Sequence, residues 1–209
     1  MTDVAPRRVL LAMTGASGAV YGLRVLEELL KVERLEVHFT LSESAAKVLR
    51  VEHDMKVNLE RFDPRALGLK KAARLVYHHH ANVAAAPASG SFRIGAMAIV
   101  PCSMACAGKL AHGVGGDLIE RAAEVMLKEK RPLVLVPRET PLSAIHLENL
   151  AKLAMLGVTV MPAAPGFYGK PQTIADLVDF VVARVLDHLS VEHGLGPRWG
   201  EGQKAKRKT

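Results

Sequence analysis

One α/β domain is what this sequence predicts: a Rossmann-like, doubly wound parallel sheet with helices on both faces. Three observations point there. Short apolar runs alternate with stretches of helical periodicity along all 209 residues. Runs such as 96–101 (AMAIVP) and 133–137 (LVLVP) are continuous rather than alternating, as in strands covered on both faces. The first run passes through a small-residue turn straight into an amphipathic helix, LLAMTGASGAVYGLRVLEELL, the order of a nucleotide-type strand, turn and helix.

In chain order, 8–13 reads as a buried strand and 18–32 as a helix with Val20, Leu23, Leu26 and Leu30 on one stripe. A second strand is expected over 36–41 (EVHFTL), followed by a helix over 42–50 that Ser42 can cap. Residues 55–95 are hard to read. Their run His78-His79-His80 cannot share a helix face and reads as a solvated loop. Strand 96–101 follows, then Cys102 and Cys106, four apart where a helix starts; without further ligands at zinc spacing they read as packing residues. Asp117-Leu118-Ile119-Glu120 has the form of a capping box, giving a helix over 118–130 that Pro132 ends. Arg121 and Lys128 share a face of it, roughly 10 Å apart, and on spacing alone read as a solvated surface. Strands over 133–137 and 158–161 and a helix over 173–189 complete the order.

Composition removes several classes of function. The net charge is +7, but part of it lies in Lys204–Lys208 of a disordered basic end, 203–209, and aromatics are only 4%, so no stacking platform for nucleic acid is visible. No apolar run reaches the ~18 residues of a membrane span, and the first eight residues lack a secretory core, which with two cysteines reads as cytoplasmic.

Doubly wound sheets bind ligands beyond the carboxyl ends of their strands. The residues after each run are therefore the candidates: Thr14–Gly18, Ser42, Cys102–Cys106, Arg138-Glu139-Thr140 and the loop 162–168. These are expected to converge. The turn Gly15-Ala16-Ser17-Gly18 offers backbone N–H groups at a helix N-terminus, suited to a phosphate or equally to a purely structural turn. A dinucleotide is disfavoured, because Ser17 stands where its fingerprint needs glycine and Glu36 is at the wrong end of its strand. Arg138-Glu139, charged and directly after a buried strand, combines a fork for phosphate oxygens with a carboxylate able to move a proton.

From about Val9 to Trp199 the chain resembles the flavin prenyltransferases of the UbiX type. The resemblance is carried by MTGASGAVYGLRVLEEL, ASGS (88–91), VPCSMA, DLIERAAEVMLKEKRPLVLVPRETPLSAIHLENL and MPAAPGFYGKPQTIADLVDFVVARVLD. It implies an enzyme that joins a dimethylallyl group from dimethylallyl monophosphate to N5 and C6 of reduced FMN, for use by a UbiD-type decarboxylase. FMN would lie on Gly15, Ala16 and Ser17, with Ser42, Ser103, Met104, Ala105, Cys106 and Arg138. The prenyl phosphate would meet Ser89, Arg121, Lys128, Arg138, Glu139, Tyr168, Arg184 and Trp199. Ser17, Glu52, Lys128 and Glu139 would carry the chemistry, Glu52 aiding proton removal at C6 and Glu139 supplying the proton of the departing phosphate. No metal is implied. The same resemblance implies a homo-oligomer, commonly a dodecamer with shared sites, and a C-terminal segment from about 190 that closes over the site.

The chain departs from the pattern at Cys106, where the family often has threonine, and at Val83, where some relatives carry tryptophan. The rival readings are an FMN-dependent cysteine decarboxylase of the same fold and a flavin carrier. The decarboxylase needs an asparagine motif that Pro101-Cys102-Ser103-Met104-Ala105-Cys106 lacks, and a carrier has no use for Lys128, Glu139 and Arg184 together.

Overall fold

The computed structural model describes residues 7–69 and 72–196. Six parallel strands form one sheet: β1 (Arg7–Met13), β2 (Leu35–Leu41), β3 (Leu75–Tyr77), β4 (Ala96–Cys102), β5 (Leu133–Pro137) and β6 (Thr159–Val160). Their order is β3-β2-β1-β4-β5-β6, so the winding reverses between β1 and β4 and opens a crevice beyond the carboxyl ends of those two strands.

Alternate residues of each strand feed separate cores. Val9, Leu11 and Met13 of β1 join α1 (Ala19–Lys31), α2 (Glu43–His53) and α6 (Ile174–His188) on one face. Leu10 and Ala12 join α3 (Met104–Ala111), α4 (Leu118–Lys128) and α5 (Ala144–Met155) on the other. The layer of α1 sits unusually close to the sheet. A Cβ on Gly22 would lie 2.3 Å from the Val100 carbonyl oxygen, so only glycine admits the approach.

The expected elements are present with ends shifted by one to three residues, and the capping box on α4 forms in full. That helix stops at Lys128, short of the expected 130, because Lys130 turns to φ 53° ahead of Pro132. Two elements escaped the sequence reading. β3 is a three-residue edge strand, and α5 is apolar on its exposed side as well (Ile145, Leu147, Met155), which blurs its period.

The three histidines are not a solvated loop. His78 meets the buried His38, with Nδ1 of His38 and Nε2 of His78 2.8 Å apart; His79 meets Glu60 at 3.2 Å and His80 meets Asp117 at 3.4 Å. Nε2 of His38 contacts Glu36 at 2.7 Å, and in the neutral ring Nε2–H donates to that carboxylate while Nδ1 accepts from His78. Burial holds both rings below the ordinary histidine value, His78 at about 4 with the neighbouring His38 adding to the effect. Glu36 also accepts from Arg8 at 3.0 Å, and Arg8 lies over the ring of Phe92, 4.3 Å from its centroid.

No helix among the described residues is long and apolar enough to cross a membrane.

Candidate functional site

Thr14 ties the two strands at the reversal together. Its amide and hydroxyl both donate to the Pro101 carbonyl, at 3.1 and 2.9 Å, and the hydroxyl oxygen accepts the amide of Ser103 at 2.7 Å. This buried clamp sets the turn after β1 against the N-terminus of α3. Sequence reasoning placed Thr14 only in the candidate stretch Thr14–Gly18 and gave it no structural part, although a hydroxyl directly after a buried run was the available signal. Both outer glycines of the turn have backbone reasons. A Cβ on Gly15 would lie 2.4 Å from Cβ of Ser44, and Gly18 has φ +99°.

Glu52 reaches back from the last turn of α2 and grips the start of α1. Its carboxylate accepts the Gly18 amide at 3.0 and 3.1 Å and the Ala19 amide at 2.9 Å, and it also pairs with the Ser17 side chain. The amides that the sequence offered to a phosphate are thus held by the protein's own anion, which the helix N-terminus favours for the same electrostatic reason. Partial burial works against the charge, but the hydrogen bonds from Ser17, Ala19 and Gly18 prevail and hold Glu52 below the ordinary carboxyl value.

Arg138 closes the other side. Its Nε donates to the Ser17 carbonyl at 3.1 Å, so Ser17 is held between a carboxylate and a guanidinium. Glu139 is exposed, and its carboxylate accepts the Thr140 amide at 3.1 Å. Two further helix N-termini open on the crevice: Ser42 caps α2 by accepting from Ala45 at 3.1 Å, and Ser103 caps α3 by accepting from Cys106 at 3.3 Å. Met104 and Cys106 are buried in the first turn of α3, with Ala105 exposed between them. The hydrogen bond between Cys106 and Cys102, together with burial, pushes the Cys106 thiol well above its ordinary value, so it stands here as a neutral group.

Gly15, Ala16, Ser17, Ser42, Glu52, Ser103–Cys106, Arg138 and Glu139 therefore converge at the carboxyl ends of the strands. The other expected residues do not join them. α4 runs antiparallel to the strands and leads directly into β5, so Lys128 stands at their amino ends, ~20 Å from the turn at seven residues of strand. Ser89 belongs to the same margin: it precedes Gly90, whose carbonyl accepts from Arg131 at 2.7 Å and whose Cβ position would lie 2.3 Å from the Glu129 carboxylate. Arg121 is exposed on α4 and pairs with Glu124 at 3.4 Å. Tyr168 and Arg184 line a cavity of about 810 Å³ against the outer side of α6. Val83 is exposed. Trp199 and the basic end lie outside the described residues. No group of three or more His, Cys, Asp or Glu among the described residues is placed to hold a metal ion.

Comparison with known proteins gives the family. A family model described as Flavoprotein matches residues 2–186. A flavin prenyltransferase UbiX from Pseudomonas aeruginosa is 50% identical over 201 residues, covering 94% of this chain and 95% of the relative. The chain belongs to the flavin prenyltransferase family. Two solved members of similar shape extend the comparison. A dodecameric FMN-dependent UbiX-like decarboxylase from Escherichia coli O157:H7 superposes with a TM-score of 0.82 at 40% identity, covering 92% of this chain and 98% of its own. AnUbiX (PadA1), in complex with FMN and dimethylallyl pyrophosphate, gives 0.78 at 39% identity, covering 92% of this chain and 100% of its own.

Proposed function

We propose that the protein transfers a dimethylallyl group from dimethylallyl monophosphate to N5 and C6 of reduced FMN in the cytoplasm, giving the prenylated flavin used by a UbiD-type decarboxylase. The observation that carries this reading is Ser17 held between Glu52 and Arg138 at the crevice where the sheet reverses. The crevice suits a flavin mononucleotide. Gly15, Ala16 and Ser17 form the turn on which the flavin lies, the α2 and α3 N-termini behind Ser42 and Ser103 favour one phosphate, and Met104 and Cys106 add an apolar wall. Reduced flavin supplies the electron-rich nitrogen and carbon that take the prenyl group.

The remaining chemistry belongs to the chain. Breaking an allylic C–O bond leaves a cation on carbon and an anion on phosphate, a separation that Lys128, Arg138, Arg184 and the nearby Arg121 stabilise by fixed charge. Tyr168 and Ser89 add hydroxyls to the phosphate, and Glu139 carries its proton. Glu52, ionised and bound to Ser17, receives the proton lost at C6. A carboxylate held by this many donors is a weak base, so its contacts with Gly18 and Ala19 loosen as it accepts. Within one chain Lys128, Ser89, Arg121, Tyr168 and Arg184 do not join Ser17, so this reading requires a homo-oligomer in which neighbouring copies present them.

The test follows the mass and absorption of flavin released after anaerobic incubation with reduced FMN and dimethylallyl monophosphate. Prenylated flavin supports the reading, and unchanged FMN overturns it. Replacement of Glu139 by Gln is expected to slow consumption of dimethylallyl phosphate from the outset. Replacement of Glu52 by Gln is expected to let flavin gain the five-carbon group while delaying the second bond.

A further inference from the structure

On the outer side of α6 a carboxylate joins the cavity to the C-terminal segment. Asp187 accepts from Nη1 of Arg184 on one oxygen at 2.7 Å and contacts Nε2 of His193 on the other at 3.2 Å. The direction of the second bond is fixed by a third. The Leu195 amide donates to Nδ1 of His193 at 3.2 Å, so that nitrogen is bare and Nε2–H donates to Asp187. Only 3% of the His193 side chain is exposed, against 51% for Arg184. The buried ring is the anchor, the carboxylate the link, and the guanidinium the mobile end. An exposed ion pair one helical turn apart stabilises a fold very little, which leaves orientation as its main effect.

That orientation bears on the cavity. Arg184, Asp187 and His193 all line the space of about 810 Å³ that Tyr168 also borders. With Nη1 taken by Asp187, Arg184 keeps Nε and Nη2 without a hydrogen-bond partner among the described residues. Those two nitrogens form the edge of a guanidinium that grips two phosphate oxygens at once. We propose that Asp187 and His193 are positioning residues, which hold the Nε–Nη2 edge of Arg184 ready for the phosphate group of the prenyl substrate. The inference rests on the phosphate role given to Arg184 above. His193 and the Leu195 amide also tie the described residues after α6 to this geometry.

A double-mutant cycle tests it in the full-length, FMN-loaded protein, with two readouts: KM and kcat for dimethylallyl monophosphate, and the dissociation constant of inorganic phosphate by calorimetry. D187A is expected to raise KM and the phosphate dissociation constant about tenfold, the order expected for disordering one charge-assisted contact, with FMN affinity and kcat changed far less. In an R184A background the same substitution is expected to change phosphate binding no further, because Asp187 reaches the phosphate through Arg184. H193Q, which keeps an N–H for Asp187, is expected to retain most of the affinity that H193A loses, and it serves if D187A does not fold. Equal effects of D187A with and without Arg184, or no effect on phosphate in either background, overturn the positioning role. If R184A itself leaves KM and phosphate binding unchanged, the phosphate role of Arg184 fails instead, and the two failures are told apart by that single variant.

Discussion

The two margins of the sheet are built on opposite plans. At the carboxyl ends Thr14 holds Ser103, Arg138 holds Ser17 and Glu52 holds Gly18 and Ala19 through bonds of 2.7–3.1 Å, and the turn is in place before any ligand arrives. At the amino ends the Lys128 ammonium is exposed and, among the described residues, pairs only with its neighbour Glu129, at 4.0 Å, while the Ser89 hydroxyl bonds only to that of Ser91, at 2.9 Å. The first margin is a finished socket. The second is a set of charges and hydroxyls awaiting a counterpart. Stability and function should therefore separate along this division.

The largest expected effect tests the unfinished side. Lys128→Ala removes a charge that the fold does not use, so FMN affinity and thermal stability should stay near wild type while prenyl transfer falls about a hundredfold, ~3 kcal/mol for losing one preorganised charge at a developing anion. A fall in melting temperature matching the loss of turnover would erase the distinction between the margins.

Thr14→Val tests the finished side. The substitution strands the part-buried Ser103 amide, and denaturant unfolding should show a loss of about 2 kcal/mol, accompanied by weaker FMN binding. Full stability in this variant would mean the clamp is not what joins β1 to β4.

Smaller still is the effect of Glu52→Gln on stability. It removes the charge from the N-terminus of α1 but keeps its shape, so about 1 kcal/mol is expected, against a much larger effect on the second bond to flavin. The stability loss should appear only above the pH at which Glu52 ionises. Its native value is depressed, so its contribution is complete above the ordinary carboxyl range and disappears as pH falls through the native value.

The mildest test uses acid at the other edge of the sheet. His78 titrates at about 4 in the folded chain, whereas an unfolded histidine binds its proton near 6.5. The unfolded state therefore takes up more protons between these values, and melting temperature should decline as pH falls from about 6.5 to about 4. His78→Gln should flatten that part of the profile. An unchanged profile would place the acid sensitivity elsewhere.

The sequence disclosed the sheet because parallel strands buried on both faces leave continuous apolar runs, and it disclosed the crevice because small, hydroxylic and charged residues follow those runs. It did not disclose β3, which is too short to show a period, or α5, whose exposed side is as apolar as its buried one. Glu52 entered the site only through the family resemblance, and its grip on the turn had no local signal: Glu52 and Gly18 are 34 positions apart, and nothing in VEHD points to a helix start elsewhere. The remote placement of Lys128 could have been anticipated. A helix that enters a parallel strand must end at that strand's beginning, and residues 128 and 133 are too close for any other path.

The contact of Gly22 with the Val100 carbonyl has a consequence for how such a chain can change over time. A single methyl group there has nowhere to go, because the opposing atom is backbone rather than a side chain that can swing aside. Accepting it would lift α1 from the sheet, and the same helix carries Gly18 and Ala19 at its front, so the socket would be displaced bodily along with it. Position 22 thus works as a spacer between two layers. Drift at the mouth of the crevice can exchange one ligand preference for another, but only on a foundation whose thickness is fixed by the absence of one carbon atom.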